Sequence, residues 1–277
     1  RFLLPLSGMK GEERWAFIEA VLHELGRRVD RNDPDQVELM QLLGGHPLAM
    51  RVILPRLERQ SARELVDTLR TNAAEFSGDD VDQQQLFAAL QVPLKALPDD
   101  LKPLLMPLSL HDAYADADYL EMMAKQVDGA PDRAAIDRFV TALATAGLIR
   151  QLGQGILELH PMLTGYLRGA QPAKDPGSSR DVWTRAFVDV MGRLADANAP
   201  KELYEQRIVL HLHDGNFHFA LEQAMRLNME KQIAALTQAL AAFAQNTRDY
   251  IEARRLFSDL ADHCAKSGNE KGRAAAY

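Results

Sequence analysis

One short stretch of the sequence departs from an otherwise helical pattern. Two β-prone runs, residues 148–152 and 156–160, are joined by Gly153-Gln154-Gly155, a composition typical of a tight hairpin turn. Elsewhere the apolar residues recur at helical spacing, in segments bounded by capping residues, Gly and Pro. The sequence therefore predicts a mainly α protein with one β-hairpin.

Two polar stretches divide the sequence into three predicted domains. Residues 77–80 end a small helical unit over 1–78, and a Pro-, Gly- and Ser-rich linker covers 170–180. Between them, helices followed by the hairpin over 82–169 predict a winged-helix domain. The remaining residues, 181–277, have a helical pattern throughout, and a chain of this length can hold three small domains.

Local signals inside the first helical unit mark where its helices begin and end. Ser61 stands three residues before Glu64, which predicts a helix start with a reciprocal capping box. The segment Gly44-Gly45-His46-Pro47 predicts a helix break, because Gly permits positive φ and Pro suits the first helical position. Without further context, a helix break alone explains the residues of this segment.

The C-terminal part contains a short internal repeat. Residues 216–220 align with residues 249–253 at an offset of 33, and in each copy an Ala follows an aromatic residue by three positions, at Ala220 and Ala253. A small Ala allows antiparallel helices to approach closely. The region over about 200–277 resembles tetratricopeptide (TPR) repeats, although the Trp and Gly of their first helix are missing, and we expect the last repeat to be truncated.

The order of these predicted domains and two motifs within them resemble the NB-ARC-like core of STAND signalling NTPases. Residues 45–47 match a Gly-x-Pro segment of that family, in which the proline ring packs on the nucleotide base. His160 matches a histidine beside the hairpin that contacts the β-phosphate of ADP in the resting state. The resemblance implies nucleotide-binding roles for Gly45, Pro47 and His160, with ADP or ATP as the cofactor of the intact protein.

The catalytic part of such an NTPase is not recognisable in the sequence. There is no Gly-x-x-x-x-Gly-Lys-Ser/Thr phosphate loop, and Asp99-Asp100 follow a proline in a pattern that favours helix capping over magnesium binding. We therefore expect no catalytic residues, no ATP hydrolysis and no bound nucleotide for these residues alone. The resemblance implies a phosphate-loop domain encoded before Arg1.

The resemblance also implies a function, a location and partners. The helical unit and the winged helix would hold ADP against the NTPase domain, while the repeats would bind a protein or peptide signal, and activation would lead to self-assembly of the intact protein. The chain has a single cysteine, Cys264, no basic-then-apolar leader and no apolar run of membrane length. We expect a cytoplasmic protein without a membrane contact.

Two other functions remain open at this stage. A winged helix can bind DNA, but residues 81–170 carry 7 Lys and Arg against 11 Asp and Glu, a net charge of −4, so a nucleic-acid partner is not expected. A passive TPR scaffold would explain the repeats, yet it would leave the motifs at Pro47 and His160 as a coincidence.

Other residues with chemical potential have simpler interpretations. His211, His213 and His218 lack a shared helix face and a carboxylate at ligand spacing, so no metal site is expected. Cys264 has no catalytic partner in the sequence and is predicted to be a buried packing residue. For His160, the alternative to a phosphate contact is a half-buried histidine hydrogen-bonded to the backbone.

Overall fold

The computed structural model describes residues 8–76, 80–170 and 179–268. Within these ranges the protein is mainly α, as predicted, with a small antiparallel sheet. The strands are β1 (Tyr114–Asp116), β2 (Ile149–Gly153) and β3 (Ile156–Leu159). The helices in the described ranges are α1 (Gly11–Glu24), α2 (Pro34–Leu42), α3 (Pro47–Ile53), α4 (Ala62–Ala73), α5 (Val81–Lys95), α6 (Leu105–Ser109), α7 (Ala117–Ala124), α8 (Arg133–Thr145), α9 (Pro161–Ala170), α10 (Ser179–Asn198), α11 (Leu203–Gln206), α12 (Asp214–Arg226), α13 (Glu230–Asn246) and α14 (Tyr250–Ser267).

The chain divides into two compact units. The first contains the described residues up to Lys102 together with Val140–Arg150, and the second contains Pro103–Phe139 together with the described residues from Gln151 onward. The first division, after Lys102, therefore lies inside the predicted winged-helix domain. The other two divisions lie within α8 and within β2. The predicted domain boundaries remain predictions, and residues 171–178 of the predicted linker lie outside the described residues.

In the first unit, α4 packs on both α2 and α5. The predicted capping box at its start is confirmed: the Ser61 Oγ accepts from the Glu64 backbone N–H at 3.2 Å, and the Glu64 carboxylate accepts from the Ser61 N–H at 2.8 Å. After α3 the chain continues as a 3-10 helix over Leu54–Glu58. Pro55 lacks the N–H that an α-helical bond to Arg51 would require.

In the sheet, β3 lies between β1 and β2. The predicted hairpin is confirmed as β2 and β3, and it turns through Gly153, Gln154 and Gly155, all with positive φ. Strand β1 was not expected. It is only three residues long, too short to show an alternating pattern, and it pairs antiparallel with β3 with Tyr114 opposite Glu158.

The C-terminal helices of the second unit form an array, in which α10 packs on α12 and α13, and α13 packs on α12 and α14. The predicted helical pattern is confirmed for residues 179–268, where the segment Arg207–His211 is a π-helical turn. Ala220, Ala253 and Cys264 are buried. The end of the region predicted to contain a truncated last repeat, residues 269–277, lies outside the described residues. No helix within the described ranges is both long and apolar enough to cross a membrane.

Candidate functional site

The loop before α3 is held in place by two glycines. Gly44 and Gly45 have φ of +58° and +73°, a left-handed conformation that Gly adopts at little cost. The Met9 backbone N–H donates to the Gly45 carbonyl oxygen at 2.9 Å, and a Cβ added at Gly45 would lie 2.1 Å from the Met9 carbonyl oxygen. Gly45 is therefore required for the close approach of the segment around Met9.

Pro47 is the first residue of α3 and is exposed, whereas the next three residues, Leu48, Ala49 and Met50, are buried in the core. The preceding His46 occupies the N-cap position without forming a side-chain capping bond. Its Nε2 is buried and has no hydrogen-bond partner among the described residues. The sequence reasoning passed over His46, although its position before an N1 proline could have singled it out.

His160 directly follows β3 and precedes Pro161, the first residue of α9. Its imidazole Nδ1 accepts a hydrogen bond from the Met162 backbone N–H at 3.2 Å, and its carbonyl oxygen accepts from the Leu163 N–H at 2.8 Å. The imidazole thus caps the helix. Because Nδ1 is an acceptor, the proton of the neutral ring must reside on Nε2.

The environment of His160 favours that neutral form. Desolvation of the ring lowers the pKa of His160, while the nearby Glu158 carboxylate opposes this shift. The residue as a whole is exposed. The backbone bond expected in the alternative interpretation is present, and it leaves Nε2–H as the ring donor that a ligand can use.

The two predicted motifs belong to different units. Gly45 and Pro47 lie in the first unit, and His160 lies in the second. Within its own unit, each motif stands at the start of a helix, α3 for Pro47 and α9 for His160.

Two of the other histidines considered from the sequence, His213 and His218, have structural partners. His213 is buried beside the Tyr119 ring, with a centroid distance of 5.3 Å, and burial lowers its pKa to about 4. His218 lies 3.5 Å from the Asp214 carboxylate and 3.9 Å from that of Glu252. The described residues contain no group of three or more His, Cys, Asp or Glu arranged to hold a metal ion.

A buried polar contact that the sequence did not reveal involves Asn216, in the first turn of α12. Its Oδ1 accepts from the Asp112 backbone N–H at 2.5 Å, and its Nδ2 donates to the Tyr114 carbonyl oxygen at 2.7 Å. The side chain is fully buried. In the sequence, Asn216 is marked only as a polar residue at the start of a repeat. That position does not predict partners more than 100 residues away.

Arg168 of α9 supports the same part of the second unit. Its guanidinium donates to the carbonyl oxygens of Ser109 and His111, at 3.0 and 3.1 Å, and lies over the Phe219 ring at 4.7 Å. His111 is fully buried, and burial lowers its pKa to about 3. The loop between α6 and β1 is therefore tied both to α9 and to α12.

The C-terminal array also contains a cavity of about 510 Å³, lined by Asn228, Glu230, His263 and Lys266. Because both acidic and basic side chains line this cavity, its charge favours no single class of ligand.

Comparison with models of known protein families gives no match, and no curated protein matches the sequence. The resemblance to STAND NTPases accordingly rests on residues 45–47, on His160 and on the order of the predicted domains.

Proposed function

We propose that these residues form the regulatory part of a STAND-type, nucleotide-dependent signalling switch. In this proposal, Pro47 and His160 face an ADP held by an NTPase domain elsewhere in the same protein. The observation that carries the proposal is the capping geometry of His160, in which Met162 N–H occupies Nδ1 and makes Nε2–H the donor of a neutral imidazole.

His160 suits a phosphate for two reasons. A hydrogen bond from Nε2–H to a charged phosphate oxygen is stronger than one between neutral groups. The ring also stands at the N-terminus of α9, where the helix dipole favours an anion. A low pKa keeps the ring neutral near pH 7, so its donor and acceptor atoms are fixed.

Pro47 suits the base of the nucleotide. Its exposed ring is a rigid apolar surface, and the buried residues that follow it in α3 hold that surface in place. Gly45 supports this arrangement through the Met9 contact, and its own surface is covered by that backbone.

The helical array is the proposed sensor. Tyr204 and Ile208 are four residues apart and are 72% and 70% exposed, which provides apolar surface for a protein or peptide signal. Signal binding would favour an open state that exchanges nucleotide and self-assembles. We place this switch in the cytoplasm, because its one cysteine cannot form an intrachain disulfide.

The surface of α8 gives no support to the DNA-binding alternative. Arg133 is one of two basic residues on this helix, which would be the DNA-reading helix of that alternative. Its guanidinium is already paired with the carboxylates of Asp118, Glu121 and Asp137, at 2.5 to 2.9 Å. Those acidic neighbours would repel a DNA backbone.

Calorimetric titration of the intact protein with ADP tests the proposal. His160→Ala should weaken ADP binding about 10- to 100-fold, the effect of losing a charge-assisted hydrogen bond of about 1.5–3 kcal/mol. His211→Ala, which removes an exposed histidine from the helical array, is the matched control and should have no effect. The 277 residues alone should bind ADP very weakly.

Three results would contradict the proposal. They are tight ADP binding by these residues alone, an ADP affinity indifferent to His160→Ala, and a coding sequence without a phosphate loop in the roughly 150–250 residues before Arg1.

A further inference from the structure

The side chain of Asn216 brackets a single residue of the loop before β1. Its Oδ1 accepts from the N–H of Asp112 and its Nδ2 donates to the carbonyl of Tyr114, so one amide holds the residues on either side of Ala113. Asn216 belongs to α12 of the helical array, whereas Ala113 precedes the strand that pairs with β3. One buried amide therefore joins the array to the sheet.

The bracketed residue is itself the support for the end of β3. The Ala113 carbonyl oxygen accepts from the Leu159 N–H at 2.7 Å, and Leu159 is followed directly by His160. Ala113 has a φ of +49°, a conformation that alanine adopts only when its surroundings impose it. The bonds from Asn216 supply that constraint.

The amide of Asn216 has its orientation fixed by a third partner. Its Nδ2 lies 3.0 Å from Nδ1 of His213, which accepts the second amide hydrogen while the His213 ring is neutral. The neighbouring Gly215 allows the close approach, because a Cβ there would lie 2.4 Å from Oδ2 of Asp112. Helix α12 is thus seated directly on the loop.

Arg168 of α9 contacts both the residues before this loop and α12. Its guanidinium donates to the carbonyl oxygens of Ser109 and His111 and lies over the Phe219 ring of α12. Through Asn216, a displacement of α12 would act on residues 112–114, and through the Ala113 carbonyl on the end of β3.

We propose that Asn216 is a positioning residue for His160, through which the helical array controls the placement of the imidazole. The connection runs from Asn216 to the 112–114 loop, from the Ala113 carbonyl to the Leu159 N–H, and along the chain to His160. This inference rests on the proposed function of His160 as a phosphate donor, and it names the step by which a signal on the array would reach that donor.

Nitrogen-detected NMR on the 277-residue chain tests the connection without nucleotide. The imidazole nitrogen shifts of His160 report which ring nitrogen is protonated, and amide hydrogen exchange reports the Leu159 and Met162 hydrogen bonds. Asn216→Ala should shift the His160 nitrogens toward a mixture of tautomers and should speed exchange at Leu159 by about 10-fold or more.

Two further variants make the result specific. Asn216→Asp keeps an acceptor for the Asp112 N–H and removes the donor to Tyr114 without leaving a cavity, so it should change the same signals if the alanine variant does not fold. Asn198→Ala is the matched control. Asn198 is buried in the same unit, and among the described residues its side chain bonds to Leu194 and Lys201. Its removal should leave His160 and Leu159 unchanged.

The inference is overturned if folded Asn216→Ala and Asn216→Asp both leave the His160 nitrogens and the Leu159 exchange rate at their original values. It is also overturned if Asn198→Ala changes them as much as Asn216→Ala does, since that would reflect general loosening of the unit.

Titration of the intact protein with ADP separates this inference from the proposed function. If Asn216→Ala shifts the His160 signals but His160→Ala leaves ADP affinity unchanged, the positioning role stands and the phosphate role fails. If His160→Ala weakens ADP binding while Asn216→Ala changes neither the His160 signals nor ADP affinity, the positioning role fails and the phosphate role stands.

Discussion

Two of the eight histidines in this chain precede a proline that begins a helix, and the two helix starts use them in opposite ways. At α9, the His160 imidazole accepts a backbone hydrogen bond and caps the helix. At α3, His46 occupies the same position, makes no capping bond and has a buried Nε2 without a partner among the described residues.

The difference comes from what surrounds each His-Pro pair. At α3 the Met9 backbone crosses the adjacent Gly45, and a Cβ at Gly44 would lie 3.3 Å from Cδ2 of His46, so His46 stands in a closely packed loop and is only partly exposed. At α9, His160 follows an exposed hairpin and stays exposed. The same local sequence therefore presents a proline ring at one site and an imidazole donor at the other.

The largest expected effect is a loss of stability when Gly45, in the loop before α3, is replaced. Gly45→Ala should destabilise the first unit by about 2–5 kcal/mol, from about 1–2 kcal/mol for positive φ and about 1–3 kcal/mol for the overlap with Met9. Denaturant unfolding measures the loss. Gly26→Ala is the control, because Gly26 has a φ of +69° and a Cβ there would meet nothing within 4 Å. An equal loss in both variants would remove the role assigned to the Met9 contact.

The next effect concerns a histidine that, like His160, serves as a hydrogen-bond acceptor. Burial lowers the pKa of His213 from 6.5 to about 4, so the unfolded chain binds a proton below pH 6.5 that the folded chain does not. Stability that is present above pH 6.5 should be lost as the pH falls toward 4, with a loss of about 2 kcal/mol from this group at pH 5.

His213→Gln should reduce that acid-dependent loss, even though the variant is less stable at pH 7. Urea unfolding at pH 7 and pH 5 compares the two proteins. A pH dependence that is identical in the variant and the original protein would contradict the buried, neutral state of His213.

A smaller change in stability is expected when His160 or His46 is replaced, and it compares the two helix starts directly. His160→Ala should cost about 0.5–2 kcal/mol, because it removes the cap of α9. His160→Asp should restore most of that loss, since Asp is a good N-cap residue. At the other helix start, His46→Asn should stabilise the protein or leave it unchanged, because it removes an unmet buried nitrogen and introduces a capping side chain. Thermal unfolding of the three variants checks the order, and an equal loss from His160→Ala and His160→Asp would rule out the capping role.

The smallest effect concerns positive φ at a residue other than glycine. Ala113→Gly should stabilise the second unit by about 0.5–1 kcal/mol, because relief of the left-handed alanine outweighs the added flexibility of Gly in the unfolded chain. Chemical denaturation measures the gain. A destabilised variant would mean that Ala113 contributes packing that outweighs its backbone conformation.

Local signals were sufficient to predict much of the fold. The capping box at Ser61 and the prolines that begin α2, α3 and α9 act within one helical turn, so the sequence alone specifies them. The hairpin was predicted from the glycines of its turn and the β-prone residues on either side of them. At the candidate site, Pro47 and His160 were found because each stands in a recognisable motif.

Contacts between distant segments could not be predicted in the same way. Strand β1 exists through its pairing with β3, some forty residues later, and Asn216 finds its partners about a hundred residues earlier. For His160 the sequence allowed a hydrogen bond to the backbone but did not identify it as a helix cap, because that depends on the orientation of one ring against the Met162 N–H. Such features depend on tertiary geometry and leave no periodic pattern in the sequence.

The central claim is that His160 uses Nδ1 for the helix and Nε2–H for a phosphate, and His160→Asp separates the two roles. ADP titration of the intact protein should show that this variant, although capped and folded, binds ADP at least about 10-fold more weakly, because a carboxylate replaces the donor and repels the anion. His211→Asp, placed on an exposed residue of the array, should bind ADP normally. Unchanged ADP affinity in His160→Asp would contradict the claim.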